Sequence, residues 1–207
     1  YNGLSLKKNI NSTDLKTMWN VPNNHLVFVA AGRLTRQKGF DLLIEAAKIL
    51  KDNKRSFTIL IAGTGKDRKS LQKKINLNQL SNVKLIGFQN NLLSILKAAD
   101  YVIMPSRQEG MPNVVMESMA LGKSVLAAKV NGVSELMDHN KNGFIFEPME
   151  VKPIVDAMNF VLDNHGSEKI TNWGLLAKDH IKNNFRLDKM IDHLESYFYD
   201  QYAQSYR

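Results

Sequence analysis

The sequence predicts an α/β protein with a doubly wound parallel sheet, because apolar segments of strand length alternate with helical patterns along most of the chain. The runs "HLVFVAAG" (25–32) and "SFTILIAG" (56–63) are almost continuously apolar, which is typical of strands buried on both faces. Between them, "GFDLLIEAAKILKDN" spaces its apolar residues with the period of a helix. Strands and helices that alternate in this way build a parallel sheet covered on both sides.

The same alternation continues towards the C-terminus. Further strands are predicted in "NVKLIGF" (82–88), "YVIMPS" (101–106), "KSVLAAK" (123–129) and "NGFIFEP" (142–148). Further helices are predicted in "KDRKSLQKKINLN", "NLLSILKAAD" and "VSELMDH", and from residue 150 to the end with a break near 165–167. We therefore divide the chain into a polar lead-in segment (1–24), a Rossmann-like domain (25–165) and C-terminal helices (166–207).

The C-terminal stretch "LDKMIDHLESYFYDQYAQSYR" is amphipathic and aromatic. Its rings include Phe198, Tyr199, Tyr202 and Tyr206, which pack either on their own domain or on a surface that this chain does not supply. Both alternatives are open from the sequence.

The composition limits the classes of function. The chain has 207 residues, a net charge of +8 and no cysteine, which excludes disulfides, thiol catalysis and thiolate metal sites and fits a reducing cytoplasm. No apolar run approaches the ~20 residues needed to cross a bilayer. The positive charge favours phosphate-bearing partners, but aromatic residues are not interleaved with the lysines as in single-stranded nucleic-acid platforms. We expect no nucleic-acid partner.

The loops after the strands are where ligands bind in an open α/β sheet. After the first strand, "GRLTRQKG" places Arg33 and Lys38 at a helix entrance and Gly32 where a ligand could approach the backbone. Cations beside free N–H groups form a site for a diphosphate. The alternative is two surface cations beside a turn.

The loop after the second strand, "AGTGKDRKS", resembles a P-loop but lacks the required residues. A Walker motif would need glycine at position 60 and Ser or Thr at position 67, where this chain has Leu60 and Asp67. Arg68 likewise breaks the G-x-G-x-x-G pattern of dinucleotide sites. We exclude both readings.

The loop after the fourth strand, "SRQEGMPNVVMESMALGK", carries two carboxylates eight residues apart, Glu109 and Glu117. Pro112 suits the first position of the following helix, so the N–H groups between Gly110 and Asn113 should point off the edge of the sheet. Carboxylates accept hydrogen bonds from vicinal sugar hydroxyls, so two of them could bind two sugars of one ligand. The alternative is a solvated Glu109 and a Glu117 that stabilises the first helical turns.

Taken together, these motifs resemble those of family 4 of the retaining GT-B glycosyltransferases, also called group 1. The segments that carry the resemblance occur in order between residues 25 and 165: "GRLTRQKG", "IGF", "ADYVIMPSRQEGMPNVVMESMALGKSVLA", "GVSELM" and "NGFIF". The most specific of them is the pair of glutamates with seven residues between. The resemblance identifies the chain as a C-terminal donor-binding domain.

The resemblance implies a role for each matching residue. Arg33 and Lys38 would neutralise the diphosphate of a nucleotide-sugar, and Glu117 would bind its ribose. Glu109 would orient the transferred hexose together with backbone groups of the turn, which are those of Gly110, Met111, Pro112 and Asn113, although Pro112 has no N–H to offer. The base would lie near Phe88, and Gly32 would border the diphosphate. The catalytic residues would be Arg33, Lys38 and Glu109.

The resemblance also implies partners. The donor would be a UDP- or GDP-sugar, and the acceptor a glycan or lipid-linked saccharide of polysaccharide biosynthesis. No metal or other cofactor is expected, because the chain has no Asp-x-Asp motif and its five histidines lack ligand spacing. A cytoplasmic location is expected, with peripheral contact to the inner face of the membrane.

Members of this family have two facing domains, and "YNGLSLKK" resembles the segment that enters the second one. The resemblance therefore implies a missing N-terminal domain, either excised or supplied by a partner, and little activity for the fragment alone. Two rival hypotheses stay open at this point. One is a non-catalytic nucleotide-sugar-binding module, and the other is a nucleotide-sugar epimerase on a related scaffold.

Overall fold

The computed structural model describes residues 10–185, 187–188, 190–192, 195–197 and 199. It contains one six-stranded parallel sheet with the strand order β3-β2-β1-β4-β5-β6, flanked by helices on both faces. The strands are β1 (Leu26–Ala31), β2 (Phe57–Ala62), β3 (Val83–Gly87), β4 (Tyr101–Met104), β5 (Ser124–Ala128) and β6 (Phe144–Phe146). The predicted fold class is confirmed.

One short helix precedes β1, and the others occupy the segments between the strands and the region after β6. They are α1 (Leu15–Met18), α2 (Phe40–Asp52), α3 (Arg68–Leu77), α4 (Leu92–Ala98), α5 (Asn113–Ala120), α6 (Val133–Leu136), α7 (Val151–Asp163) and α8 (Glu168–Asn184). A short 3-10 turn, Arg36–Lys38, precedes α2. The break predicted near residues 165–167 separates α7 from α8.

The sheet is buried on both faces because successive side chains of each strand point to opposite sides. In β1, Phe28 and Ala30 join the core formed with α2, α3 and α7. Their neighbours Val27 and Val29 join the second core, formed with α4, α5 and α6. Burial on both faces explains why the strands read as continuous apolar runs rather than as alternating ones.

The described part of the predicted lead-in segment also packs on the domain. Asp14 caps α1, since its carboxylate accepts hydrogen bonds from the backbone N–H groups of Lys16 and Thr17. Leu15 and Val21 are buried in the second core. Residues 14–21 are therefore part of the folded domain, whereas the opening "YNGLSLKK" lies outside the described residues.

Helix α8 packs on α5 and β5 of the same domain. Its buried face includes Trp173 and Ala177, while Leu175 and Leu176 on its other face are exposed. The described residues between 187 and 199 are helical, and the side chain of Tyr199 is exposed. Contact of residues 166–207 with a further domain stays a prediction, and the rings of Phe198, Tyr202 and Tyr206 lie outside the described residues.

Among the described residues, no helix is both long enough and apolar enough to span a membrane.

We expect Gly174→Ala to destabilise the fold, although alanine is the better helix former by about 1 kcal/mol. A Cβ at position 174 would lie 2.2 Å from the carbonyl oxygen of Gly122, so the contact between α8 and the turn before β5 would have to open. The expected loss in the free energy of unfolding is about 1–3 kcal/mol, read from the midpoint of urea denaturation.

The matched control is Asn172→Ala, at an exposed position of the same helix. Its free energy of unfolding should stay within about 0.5 kcal/mol of that of the parent chain. A midpoint for Gly174→Ala at or above that of the parent would contradict the close approach of the two backbones.

Candidate functional site

The candidate site lies at the carboxyl ends of the central strands. The strand order reverses between β1 and β4, since β1 pairs with β2 on one side and with β4 on the other. The loop after β1 leads to one face of the sheet and the loop after β4 to the opposite face. In sheets of this kind the loops diverge at such a reversal, and ligands bind in the crevice between them.

The two loops are in direct backbone contact. Gly39 has a φ of +68°, and a Cβ there would lie 1.9 Å from the carbonyl oxygen of Pro105. Only glycine combines the left-handed conformation with this approach. The contact sets the preceding Lys38 beside the loop that begins at Ser106.

Lys38 and Glu109 form an ion pair across the crevice. The Lys38 Nζ lies 2.6 Å from Glu109 Oε1, with side-chain exposures of 20% and 9%. The hydroxyl of Ser106 donates to the same carboxylate oxygen over 2.6 Å. The structure thus brings together two predicted site residues that are 71 positions apart in the sequence.

Ser106 is a site residue that the sequence reasoning missed. Its side chain is fully buried, and its hydroxyl contacts Glu109. The available signal was a serine directly after a buried strand and three residues before a glutamate. That spacing allows a short side-chain hydrogen bond within a turn.

Gly32 gives room to a side chain of the site. A Cβ at this position would lie 3.3 Å from both Cδ and Cε of Lys38, so the lysine stem runs over the glycine. That Gly32 borders a ligand stays a prediction. The lack of a side chain at this position leaves room for the stem of Lys38.

A cavity of about 280 Å³ opens beside Gly32 at the ends of β1, β2 and β3. It is lined by residues from the three loops that follow these strands: Ala31, Gly32, Arg33, Ala62, Gly63, Thr64, Phe88, Gln89 and Leu92. Arg33 is exposed at its edge, and Phe88 is 72% exposed. The structure therefore places three of the predicted donor-binding residues around one cavity.

The turn before α5 differs from the prediction by one residue. Pro112 is the N-cap of the helix and not its first helical residue, since its ψ of 94° is extended. Its carbonyl accepts from the N–H groups of Val115 and Met116. Gly110 and Asn113 are exposed and Met111 is half-buried. Within the described chain, the N–H groups of Gly110, Met111 and Asn113 donate to no other backbone group.

Glu117 lies in the second turn of α5 and is half-buried. Burial raises the pKa of its carboxyl above the ordinary value. No side-chain hydrogen bond or ion pair joins its carboxylate to the other described residues. A half-buried carboxylate without a protein partner is suited to accept hydrogen bonds from a ligand's hydroxyl groups.

Metal-ligating residues do not cluster in the described part of the chain. No group of three or more His, Asp or Glu side chains there could hold a metal ion.

Comparison with known proteins gives a consistent result. The sequence model of the family described as "Glycosyl transferases group 1" matches residues 11–179. A galactosyltransferase of Escherichia coli, described as UDP-Gal:alpha-D-GlcNAc-diphosphoundecaprenol alpha-1,3-galactosyltransferase, is 29% identical over 96% of this chain. The match covers 53% of the E. coli protein, so the chain spans about half the length of that relative.

Solved structures show the same likeness. Anabaena Alr3699/HepE, solved in complex with UDP and with UDP-glucose, is 26% identical with a TM-score of 0.78, over 88% of this chain and 51% of that one. The C-terminal domain of LpcC from Francisella tularensis has the same fold, with 22% identity and a TM-score of 0.71 over 86% of this chain and 96% of that one. With its sheet, its crevice and its motifs in this arrangement, the chain belongs to the group 1 glycosyltransferases of the GT-B type.

Proposed function

We propose that this chain is the donor-binding half of a retaining, metal-independent hexosyltransferase of family 4. The donor is a UDP- or GDP-sugar, and the acceptor is a glycan or a lipid-linked saccharide. The second half of the enzyme, which faces this domain across a cleft, supplies most of the acceptor site. The chain alone binds donor weakly and turns over little.

The observation that carries the proposal is the meeting of Lys38 and Glu109 beside the cavity. A cation and a carboxylate 2.6 Å apart at the strand-order reversal suit a ligand with a charged diphosphate and a hydroxyl-rich sugar. The complexes of Alr3699/HepE with UDP and UDP-glucose support the assignment of this ligand class.

The cations favour departure of the nucleoside diphosphate. Arg33 and Lys38 place positive charge where negative charge develops as the bond between the anomeric carbon and the phosphate oxygen breaks. These side chains take the place of a divalent metal. The acceptor oxygen attacks the anomeric carbon from the face that the leaving group occupies, and its proton passes to the departing phosphate oxygen. The anomeric configuration is therefore retained.

The remaining residues orient the donor. Glu109 accepts hydrogen bonds from the hexose, and the free N–H groups at Gly110, Met111 and Asn113 donate to the sugar or its phosphate. Glu117 accepts from the ribose hydroxyls, and the exposed ring of Phe88 offers a face to the base.

The proposal includes peripheral attachment to the inner face of the cytoplasmic membrane. Four exposed cations lie on and just before α3, and none forms an ion pair with a described residue: Lys66, Arg68, Lys69 and Lys73. Each Lys or Arg near an anionic lipid surface contributes about 1 kcal/mol. The loop before α3 lines the cavity through Gly63 and Thr64, so this surface adjoins the donor site.

We expect Arg33→Ala and Glu117→Ala each to weaken nucleotide binding by about tenfold, the factor for one lost charge-assisted contact. Isothermal titration of UDP and of GDP into the chain measures this directly. Saturable binding of one nucleotide also identifies the base.

The matched control is Arg36→Ala, which removes an exposed cation of the same loop that does not line the cavity. It should bind nucleotide like the parent chain. Equal loss for Arg33→Ala and Arg36→Ala would show a general charge effect and count against the assigned site.

We expect Glu117→Gln to stabilise the ligand-free chain at pH 7. The pKa of this carboxyl is raised by burial, so its ionised form costs stability above the ordinary pKa, and the cost disappears when the group is protonated. The gain in melting temperature should therefore be present at pH 7 and absent below the ordinary Glu pKa of 4.5. Differential scanning fluorimetry at both pH values checks this.

Glu135→Gln is the control for that comparison, because Glu135 is exposed on α6. It should leave the melting temperature unchanged at both pH values. A Glu117→Gln chain that melts lower than its parent at pH 7 would contradict the unpartnered state of Glu117.

Membrane contact is tested by sedimentation with phosphatidylglycerol-containing vesicles. Binding should fall in ~0.5 M salt, where the Debye length is only a few ångströms, and in a triple variant with glutamate at Lys66, Lys69 and Lys73. Vesicles of phosphatidylcholine alone should not bind.

A second triple variant controls for net charge. It carries glutamate at three exposed lysines outside α3, which are Lys141, Lys152 and Lys178. Equal loss in both triple variants would mean that overall charge, and not the α3 surface, governs attachment.

A further inference from the structure

A second ion pair joins the loop after β4 to the first turn of α2, with the opposite polarity. Arg107, two residues before Glu109, binds Asp41, three residues after Lys38. The two terminal guanidinium nitrogens of Arg107, Nη1 and Nη2, each donate to one Asp41 oxygen over 2.7 Å. This parallel geometry is the strongest form of an arginine–carboxylate contact.

Three further hydrogen bonds reinforce this pair. The Arg107 guanidinium also donates to the carbonyl of Arg36 over 2.6 Å, and its backbone N–H donates to the carbonyl of Gln37 over 2.8 Å. In return, the Gln37 side chain donates to the carbonyl of Gln108 over 3.0 Å. We call Asp41, Arg107 and Gln37 the loop clamp, and none of the three lines the cavity.

The chemistry of the donor explains why the site needs such a clamp. In the ligand-free chain, Lys38 is bound to Glu109, yet the proposed function requires Lys38 at the diphosphate and Glu109 at the hexose. A donor that separates these two side chains removes one of the contacts between the loops. The clamp residues are not among those proposed to bind the donor, so their contacts need not break when it binds.

The electrostatics of Asp41 agree with this geometry. Partial burial alone would raise the pKa of its carboxyl, but the hydrogen bonds and charge of Arg107 outweigh burial and hold the pKa below its ordinary value. Asp41 thus stays ionised and paired through the neutral range.

We propose that Asp41 and Arg107 are positioning residues, which hold the β1–α2 and β4–α5 loops at a fixed spacing while the Lys38–Glu109 ion pair opens to admit the donor. The ligand in this inference is that of the proposed function, on which the inference rests to that extent. The clamp itself is present in the ligand-free chain and does not depend on that function.

Hydrogen–deuterium exchange of the ligand-free chain tests the clamp without any ligand. Arg107→Ala should speed exchange of the amides of residues 36–39 and 106–111, while amides of β1 and β4 exchange as in the parent chain. Arg107→Lys keeps the charge but loses the paired geometry. Exchange of the same amides should therefore be faster than in the parent chain and slower than in Arg107→Ala. Unchanged exchange in both loops of Arg107→Ala would overturn the inference.

A double-variant cycle tests whether the two residues act through each other. Asp41→Asn should loosen the same amides, and the Asp41→Asn, Arg107→Ala chain should be no looser than the worse single variant. Effects that simply add would overturn the pairing. Arg55→Ala is the matched control. It breaks an ion pair with Asp163 near the amino ends of the strands, so it should leave both loops unchanged.

Titration of UDP and GDP then connects the clamp to the site. Arg107→Ala should bind the preferred nucleotide about tenfold more weakly at a temperature where the variant is fully folded, with partial recovery in Arg107→Lys. Loosened loops with parental affinity would overturn the positioning role. If the parent chain binds neither nucleotide, the proposed donor site fails, whereas the exchange data still decide the clamp.

Discussion

The backbone contact between Gly39 and Pro105 is the constraint on which the site depends. It occurs beside the reversal of the strand order, where the loops after β1 and β4 leave towards opposite faces of the sheet. A Cβ at position 39 would overlap the Pro105 carbonyl, and no rotation of a side chain could relieve that overlap. The contact fixes where Lys38 and Glu109 begin, and every charge of the crevice is arranged around it.

In the proposed function, Lys38 and Glu109 exchange each other for the ligand, and their ion pair adds little to the stability of the fold. Lys38 and Glu109 are largely desolvated, and the gain from their attraction is offset by the loss of hydration of both groups. A ligand that brings its own anion and hydroxyl groups offers each of them a new partner at little extra desolvation cost. The hydroxyl of Ser106 also donates to Glu109, so the carboxylate has a contact that does not depend on the lysine.

The strands could be predicted from the sequence, because burial on both faces leaves continuous apolar runs. The loops that carry the candidate site residues could be located as well, because ligands bind where such strands end. Features that depend on tertiary register could not. The pairing of Arg107 with Asp41 joins residues 66 positions apart, and no local pattern marks it. The start of α5 was misplaced by one residue, since Pro112 fits either position and the fold selects an extended ψ. The four-residue α1 is too short to leave a periodic pattern.

Glu117 shows why a site of this kind is recognisable even without a ligand. A carboxylate that is half-buried and unpaired costs stability, and an apolar residue would pack on α5 without that cost. The same helix carries free N–H groups at its start, so donors and an acceptor lie along one short element at the edge of the crevice. A sugar presents both hydroxyl donors and acceptors, and it satisfies this arrangement in a way that water does only loosely. A local cost to the fold of this kind is what the proposed function predicts for a residue that binds a sugar.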